Sequence, residues 1–455
     1  MAAGLVRGRW IDDWRPEDET FWQRTGKRIA NRNLWFSVFS EHIGFSIWTL
    51  FSVLVLFMGP DYGIDAAGKF LLVSVATFVG AALRLPYSLA VAVVGGRNWT
   101  VISAALLLVP TVLLAVFMEP GTSYTTFVVI SALVGLGGGN FASSMTNINA
   151  FFPDRAKGAA LGINAGGGNL GVAVIQLVGL LIIATAGPDA PRLLLAVYIP
   201  LIVLSLVGAA LFMDNISSVR NDAGALKEAA RDAQTWVMAF LYIGTFGSFI
   251  GYSFAFGLVL QNQFGRTPLQ AAAVTFIGPL LGSLIRPVGG WLSDRVGGVK
   301  VTFWNFAAMA VSTVICIAAS AVDSLALFTV GFVLLFITSG IGNGSTYKMI
   351  PSIFRTKALA ATEERGWDQE TALLWARRIS GAAIGITAAV GAFGGLLINL
   401  AFRSSFRATQ SGAPAFWAFL VFYAACMAVT FVVYMRSATS ATDPKTGTRV
   451  SYAEV

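Results

Sequence analysis

The 455-residue chain is predicted to be an all-α polytopic membrane protein, with twelve transmembrane helices in two six-helix pseudo-repeats. Three observations carry that expectation. Charged residues make up 12% of the chain and hydrophobic ones 56%, whereas a soluble domain carries about 25% charged residues. The apolar residues gather into runs of roughly 20 or more, long enough to cross a ~30 Å hydrocarbon core, and the mean hydropathy is +0.71. Motifs in the second and fourth runs also return six runs later. A transmembrane β-barrel would instead alternate over segments of about ten residues, a pattern the sequence lacks.

The spans are placed at 34–58, 69–95, 99–118, 122–151, 157–186, 191–213, 233–264, 269–292, 299–320, 323–353, 376–402 and 414–436. They divide the chain into an N-terminal segment 1–33, a six-helix bundle 34–213, a linker 214–232, a second bundle 233–436 and a tail 437–455. The first span starts too late and runs too long for a cleaved signal peptide, and the basic stretch "RTGKRIANRN" precedes it. If both termini share one side, that side collects 23 Lys and Arg, and the other only Lys69, Arg192, Arg266, Arg403 and Arg407. The positive-inside rule then puts both termini in the cytoplasm. The net charge of +8 is thereby an orientation signal, and no nucleic-acid partner is expected.

Chemistry is bounded by scarcity. Cys316 and Cys426 lie inside apolar runs and read as small buried hydrophobes, and His42 is the single histidine. With a single histidine, zinc sites, Ser-His-Asp triads and paired-histidine haem ligation are nearly excluded. No metal, cofactor or catalytic residue is expected, because one histidine and one glutamate within the spans, His42 and Glu41, are little for an integral-membrane enzyme to work with. A channel would not need the paired motifs described next. A sensor would need a signalling domain larger than the 33 and 19 residues that flank the spans.

The second span ends "RLPYSLAVAVVGGRNWT" and the eighth "RPVGGWLSDRVGGVKVT". Each holds an intramembrane arginine, a proline one or two residues later, and a Gly-Gly turn with a basic residue. The fourth span carries "GLGGGNFASSMTN" and the tenth "GIGNGSTYKMIP". Glycines recur at i, i+4 in Gly135/Gly139, Gly158/Gly162/Gly166, Gly167/Gly171, Gly340/Gly344, Gly381/Gly385 and Gly391/Gly395, which lines them along single helix faces. Such small-residue stripes let helix backbones approach closely in lipid. Recurring in both halves, they also offer faces that can slide, and room for a substrate near the backbone.

Three basic residues remain inside spans: Arg84, Arg286 and Lys348. An arginine at a helix centre costs at least ~2.5–3.5 kcal/mol, and Arg84 is too deep to snorkel. Glu41 is the one carboxylate clearly within a span, and one carboxylate cannot neutralise three cations. An anionic substrate supplies the missing charge, and a guanidinium fork matches two oxygens of a planar oxyanion.

At this point the chain resembles a known family. The glycine-rich stretch 135–171 and "GIGNGSTYKMIPSIF" are similar to the two signature segments of the nitrate/nitrite porter (NarK-type) family of the major facilitator superfamily. "LRLPYS", "TFGSFIGYSFAFG" and "WRPEDETFW" agree in order, and "GGWLSDRVGG" resembles the superfamily's loop motif. The resemblance implies a major facilitator fold and alternating-access transport of nitrate and nitrite by a monomer. It also implies that Arg84 and Arg286 clamp the anion from opposite halves, that Phe141 and Phe246 sandwich its plane, and that Asn169 and Tyr242 donate hydrogen bonds. Asp294 and Arg295 are expected at the cytoplasmic gate. Lys348 stands where other members carry an uncharged polar residue, and Glu41 with His42 in "SEHIGFS" marks only some of them.

Two coupling modes stay open. Facing guanidiniums repel in a low-dielectric cavity, so a loaded protein should rock more readily than an empty one, which gives nitrate/nitrite antiport. Nitrate/proton symport would need a titratable group, for which Glu41 and His42 are the candidates. Glu41 and Lys348 lie at similar depth in opposite halves. They are expected to pair across the cytoplasmic mouth in the outward-facing state and to part in the inward-facing one.

Overall fold

The computed structural model describes residues 5–6, 9–219, 222–437, 439–442, 449–453 and 455. Among these, twelve helices are long and apolar enough to cross a membrane: α1 Glu19–Phe57, α2 Ala66–Val94, α3 Gly96–Phe117, α4 Tyr124–Phe151, α5 Arg155–Ala186, α6 Arg192–Phe212, α7 Ala233–Phe264, α8 Pro268–Val296, α9 Gly298–Ala321, α10 Leu325–Ala360, α11 Gln369–Thr409 and α12 Ala413–Met435. Each coincides with an expected span, so the chain is a multi-pass membrane protein. Several helices overrun their apolar runs: α1 begins 15 residues early, α8 continues past 292 to Val296, α10 continues past 353 to Ala360, and α11 extends at both ends. Hydropathy marks where a helix is in lipid; backbone hydrogen bonding continues beyond.

The breaks inside the helices have local causes. A proline lacks an N–H and crowds the carbonyl four residues back. In α2 the regular helix stops at Ala82, four residues before Pro86, and resumes at Arg84. In α8 it stops at Thr275, four residues before Pro279, and resumes at Ile277. In α4 five residues, Gly135–Gly139, tighten into a 3-10 turn, and in α7 Ile243–Gly247 widen into a π turn.

The chain forms two compact units, residues 1–221 with 253–280, and residues 222–252 with 281–455. In the first, α1 is the most enclosed of its helices, with 83% of its apolar stretch buried, against 33% for α3. The end of α7 joins this unit: Gln176 donates to the Ser253 carbonyl at 2.8 Å, and Trp48 meets Phe254 edge-on at 5.8 Å. A short strand, Trp10–Ile11, runs parallel to Asn215–Ile216, an element that hydropathy does not reveal. Beside it Asp214, 1% exposed, accepts from Arg32 at 2.5 Å and Asn33 at 3.0 Å. In the second unit a linker helix, Ala223–Arg231, is tied to the helix ends. Asp222 accepts from Arg378 at 2.8 Å, Glu228 accepts from the Trp375 indole at 2.7 Å, and Lys357 pairs with Asp232 at 2.5 Å.

Candidate anion site

In the first unit Arg84 is the first residue after the Pro86-induced break in α2, and its side chain is 1% exposed. Its guanidinium carbon stands 4.7 Å from the Phe141 ring centroid and 5.4 Å from that of Trp48. Each aromatic face contributes ~0.5–2 kcal/mol to a desolvated cation, which offsets part of the burial cost. The Trp48 indole occupies a slot made by glycine: a Cβ on Gly138 would lie 2.8 Å from its Cε2, and one on Gly80 2.6 Å from the same atom. Its Nε1 donates to the Ala76 carbonyl at 2.9 Å. Trp48 is not marked by the sequence, because an indole in an apolar run carries no signal of its own; the glycines facing it, Gly80 and Gly138, are the trace it leaves.

Asn169, on α5, is 1% exposed, and neither its amide oxygen nor its amide nitrogen has a hydrogen-bond partner in the structure. Glu41 is fully buried and accepts from Asn164 Nδ2 at 2.6 Å. Asn164 gives its second N–H to Ser144 at 2.6 Å, and Ser144 joins Ser37 at 2.9 Å. This network ties α1, α4 and α5 together. His42 Nδ1 lies 3.0 Å from the Gly167 carbonyl; a carbonyl only accepts, so Nδ1 carries the proton.

In the second unit Arg286, 9% exposed, donates through Nη2 to the Tyr242 hydroxyl at 3.3 Å. Its Nη1 is buried without a hydrogen-bond partner in the structure. Its guanidinium carbon is 5.6 Å from the Tyr347 ring centroid, a neighbour that carries no signal in the sequence next to the charged Lys348. Tyr242 and Phe246 stack at 5.3 Å with an 8° interplanar angle, one residue before and within the π turn. Gly391 leaves space for the Tyr242 ring, and the Cα of Gly394 lies 2.6 Å from the position a Cβ on Gly247 would take. α11 thus packs on the π turn through bare backbone.

Of the charged candidates, Lys348 pairs with Asp294 at 2.7 Å, while Arg295 lies over the Trp291 ring at 4.1 Å. In this structure the acid beside Lys348 is therefore Asp294 and not Glu41. The Asp294 carboxylate stands two residues from the end of α8, beyond the apolar run. Glu41 and Lys348 each have a partner within their own unit. The glycine stripes separate into two kinds. Gly135, Gly137, Gly138, Gly139, Gly167, Gly171, Gly340 and Gly344 press on neighbours; Gly158, Gly162, Gly166, Gly381 and Gly385 have nothing within 4 Å of where a Cβ would be.

Residues 34–366 match the Major Facilitator Superfamily. The chain is 38% identical over 446 residues to the nitrate/nitrite transporter NarU of Salmonella typhimurium (strain LT2), covering 94% of this chain and 96% of that one. NarU of Escherichia coli (strain K12) is 37% identical over the same shares. A probable nitrate/nitrite antiporter, NarK2 of Thermus thermophilus, is 31% identical over 95% of this chain and 98% of its own. Likeness of this extent, running through nearly the whole length of each relative, means that the chain belongs to the nitrate/nitrite porter family of the major facilitator superfamily.

Proposed function

We propose that this protein exchanges nitrate for nitrite across a bacterial inner membrane by alternating access, as a monomer with both termini in the cytoplasm. The observation that carries the reading is a buried guanidinium in each unit, Arg84 at 1% and Arg286 at 9% exposure, each laid on aromatic rings. The cation–π contacts offset part of the desolvation cost, and a planar oxyanion supplies the charge they cannot. Arg84 and Arg286 hold the anion through paired N–H donors. Asn169 and Tyr242 add neutral donors, and Phe141 and Phe246 flank its plane. Asp294 and Arg295 act at the helix ends. Without an anion the two guanidiniums repel, so the loaded protein changes state more readily than the empty one, which is obligatory exchange.

A second reading, nitrate/proton symport, draws on one observation: Glu41 is fully buried, with a neutral amide as a partner. A carboxyl in that setting can carry a proton. Counterflow in proteoliposomes at fixed pH separates the two readings. Exchange requires internal nitrite or nitrate and ignores a protonophore. Symport fills anion-free vesicles when a proton gradient is imposed, and collapses when it is dissipated.

A further inference from the structure

Lys348 and Asp294 have no part in the anion contacts above, yet the packing of α8 on α10 brings them together beside that site. Positions 340 and 344 of α10 lie on the α8 backbone: a Cβ on Gly340 would run into the Gly282 carbonyl, and one on Gly344 would come 2.6 Å from Gly290 N. With the backbones in contact, the next turn of α10 sets Lys348 beside Asp294, four residues beyond Gly290. Their ion pair is 2.7 Å long, and the two side chains are 51% and 55% exposed. Tyr347, next to Lys348, has its ring 5.6 Å from the Arg286 guanidinium carbon. Asp294 lies eight residues beyond Arg286 on α8, an axial rise of about 12 Å.

We propose that Lys348 is a second oxyanion contact on the route between Arg286 and solvent, with Asp294 as the counter-ion that holds its ammonium when no anion is near. The inference rests on the anion-transport reading above. An exposed ion pair is screened by salt and opens readily, unlike one at the depth of Arg286. An ammonium has three rotatable donors, so Lys348 can keep one N–H on Asp294 and give another to a passing oxyanion. Arg295 does not compete, because its guanidinium lies on Trp291 at 4.1 Å. Without Lys348, Asp294 would face the incoming anion as an uncompensated negative charge.

The test uses the full chain in proteoliposomes, with nitrate uptake measured against internal nitrite. From about 10 to about 300 mM potassium gluconate the Debye length shrinks severalfold. At the low-salt end Lys348→Gln should lower kcat/KM about 5–10-fold, in line with lost steering, while equilibrium nitrate affinity, read by tryptophan fluorescence, stays near the unsubstituted value. The deficit should shrink at high salt. Lys348→Arg should retain most of the rate. An unchanged kcat/KM in Lys348→Gln overturns the inference, as does a deficit indifferent to salt, which would make the pair a helix brace. If the unsubstituted protein takes up no nitrate, the transport reading itself fails and this inference with it.

Discussion

Gly344 of α10 lies directly against the main-chain carbonyl of Arg286 on α8, leaving no room for a Cβ. The helix that carries the buried guanidinium is thereby seated on its neighbour by backbone contact. Small residues allow this approach in a bilayer, where packing rather than water expulsion drives helix association. The contact fixes the height of Arg286 relative to Tyr347, and that of Asp294 relative to Lys348.

Gly344→Ala should therefore destabilise the protein by ~1–3 kcal/mol, the usual cost of overpacking, and lower the melting temperature in detergent. Gly158→Ala and Gly381→Ala have nothing within 4 Å to strike. Both should leave the melting temperature unchanged or raise it, since alanine gains up to ~1 kcal/mol in helix propensity. Transport lost without stability in either variant would reveal a contact made in another conformation.

Arg84→Ala and Arg286→Ala should each abolish nitrate counterflow while the purified protein keeps its helical circular-dichroism spectrum. Lysine should rescue poorly, because a point charge does not reproduce the planar fork. Robust uptake by both alanine variants would remove the anion-holding role of the arginines.

Asn169→Ala separates a substrate contact from a structural one. Neither amide atom of Asn169 bonds to the protein, so its loss should leave thermal stability nearly unchanged. A hydrogen bond to a charged group is worth about 1.5–3 kcal/mol, so nitrate should bind at least about tenfold more weakly in a calorimetric titration. A large stability loss with unaltered binding would assign Asn169 to packing.

Glu41→Gln keeps an oxygen for Asn164 and removes the titratable proton. Counterflow of nitrate against nitrite should persist at about the unsubstituted rate. Loss of proton-driven uptake with counterflow intact would turn the mechanism toward symport.

The linker offers a pH prediction. The hydrogen bond from Arg378, joined by that from Ala225 N, holds the Asp222 carboxyl down to about 2. A depressed carboxyl stabilises in full above its ordinary value and loses that contribution as pH falls through the depressed one. The bond from Arg378 to Asp222 should thus persist from neutral pH down past 4 and be lost on the approach to 2, loosening that end of the linker helix. The Trp375 indole bonds to Glu228 on that helix, so its fluorescence reports the change. Arg378→Gln should move the transition up toward the ordinary carboxyl range; an unmoved transition would show that the pair does not hold the helix.

The sequence by itself determined the twelve spans, because an apolar run of about 20 residues has no alternative to helix in lipid. It also singled out Arg84 and Arg286, since a charge at membrane depth stands out against any apolar background; of the residues that the resemblance adds, Phe141 lies beside Arg84 and Tyr242 beside Arg286. Tertiary structure alone decided which rings lie on each guanidinium. Trp48 and Tyr347 are 36 and 61 residues from their arginines along the chain, and only helix packing sets that distance in space. It alone paired Lys348 with Asp294, because the register of α8 on α10 comes from the Gly340 and Gly344 contacts. It alone divided the glycines into those that seat helices and those that face open space, a distinction that i, i+4 spacing cannot express. Periodicity tells which residues share a face, and only the neighbouring helix decides what that face meets.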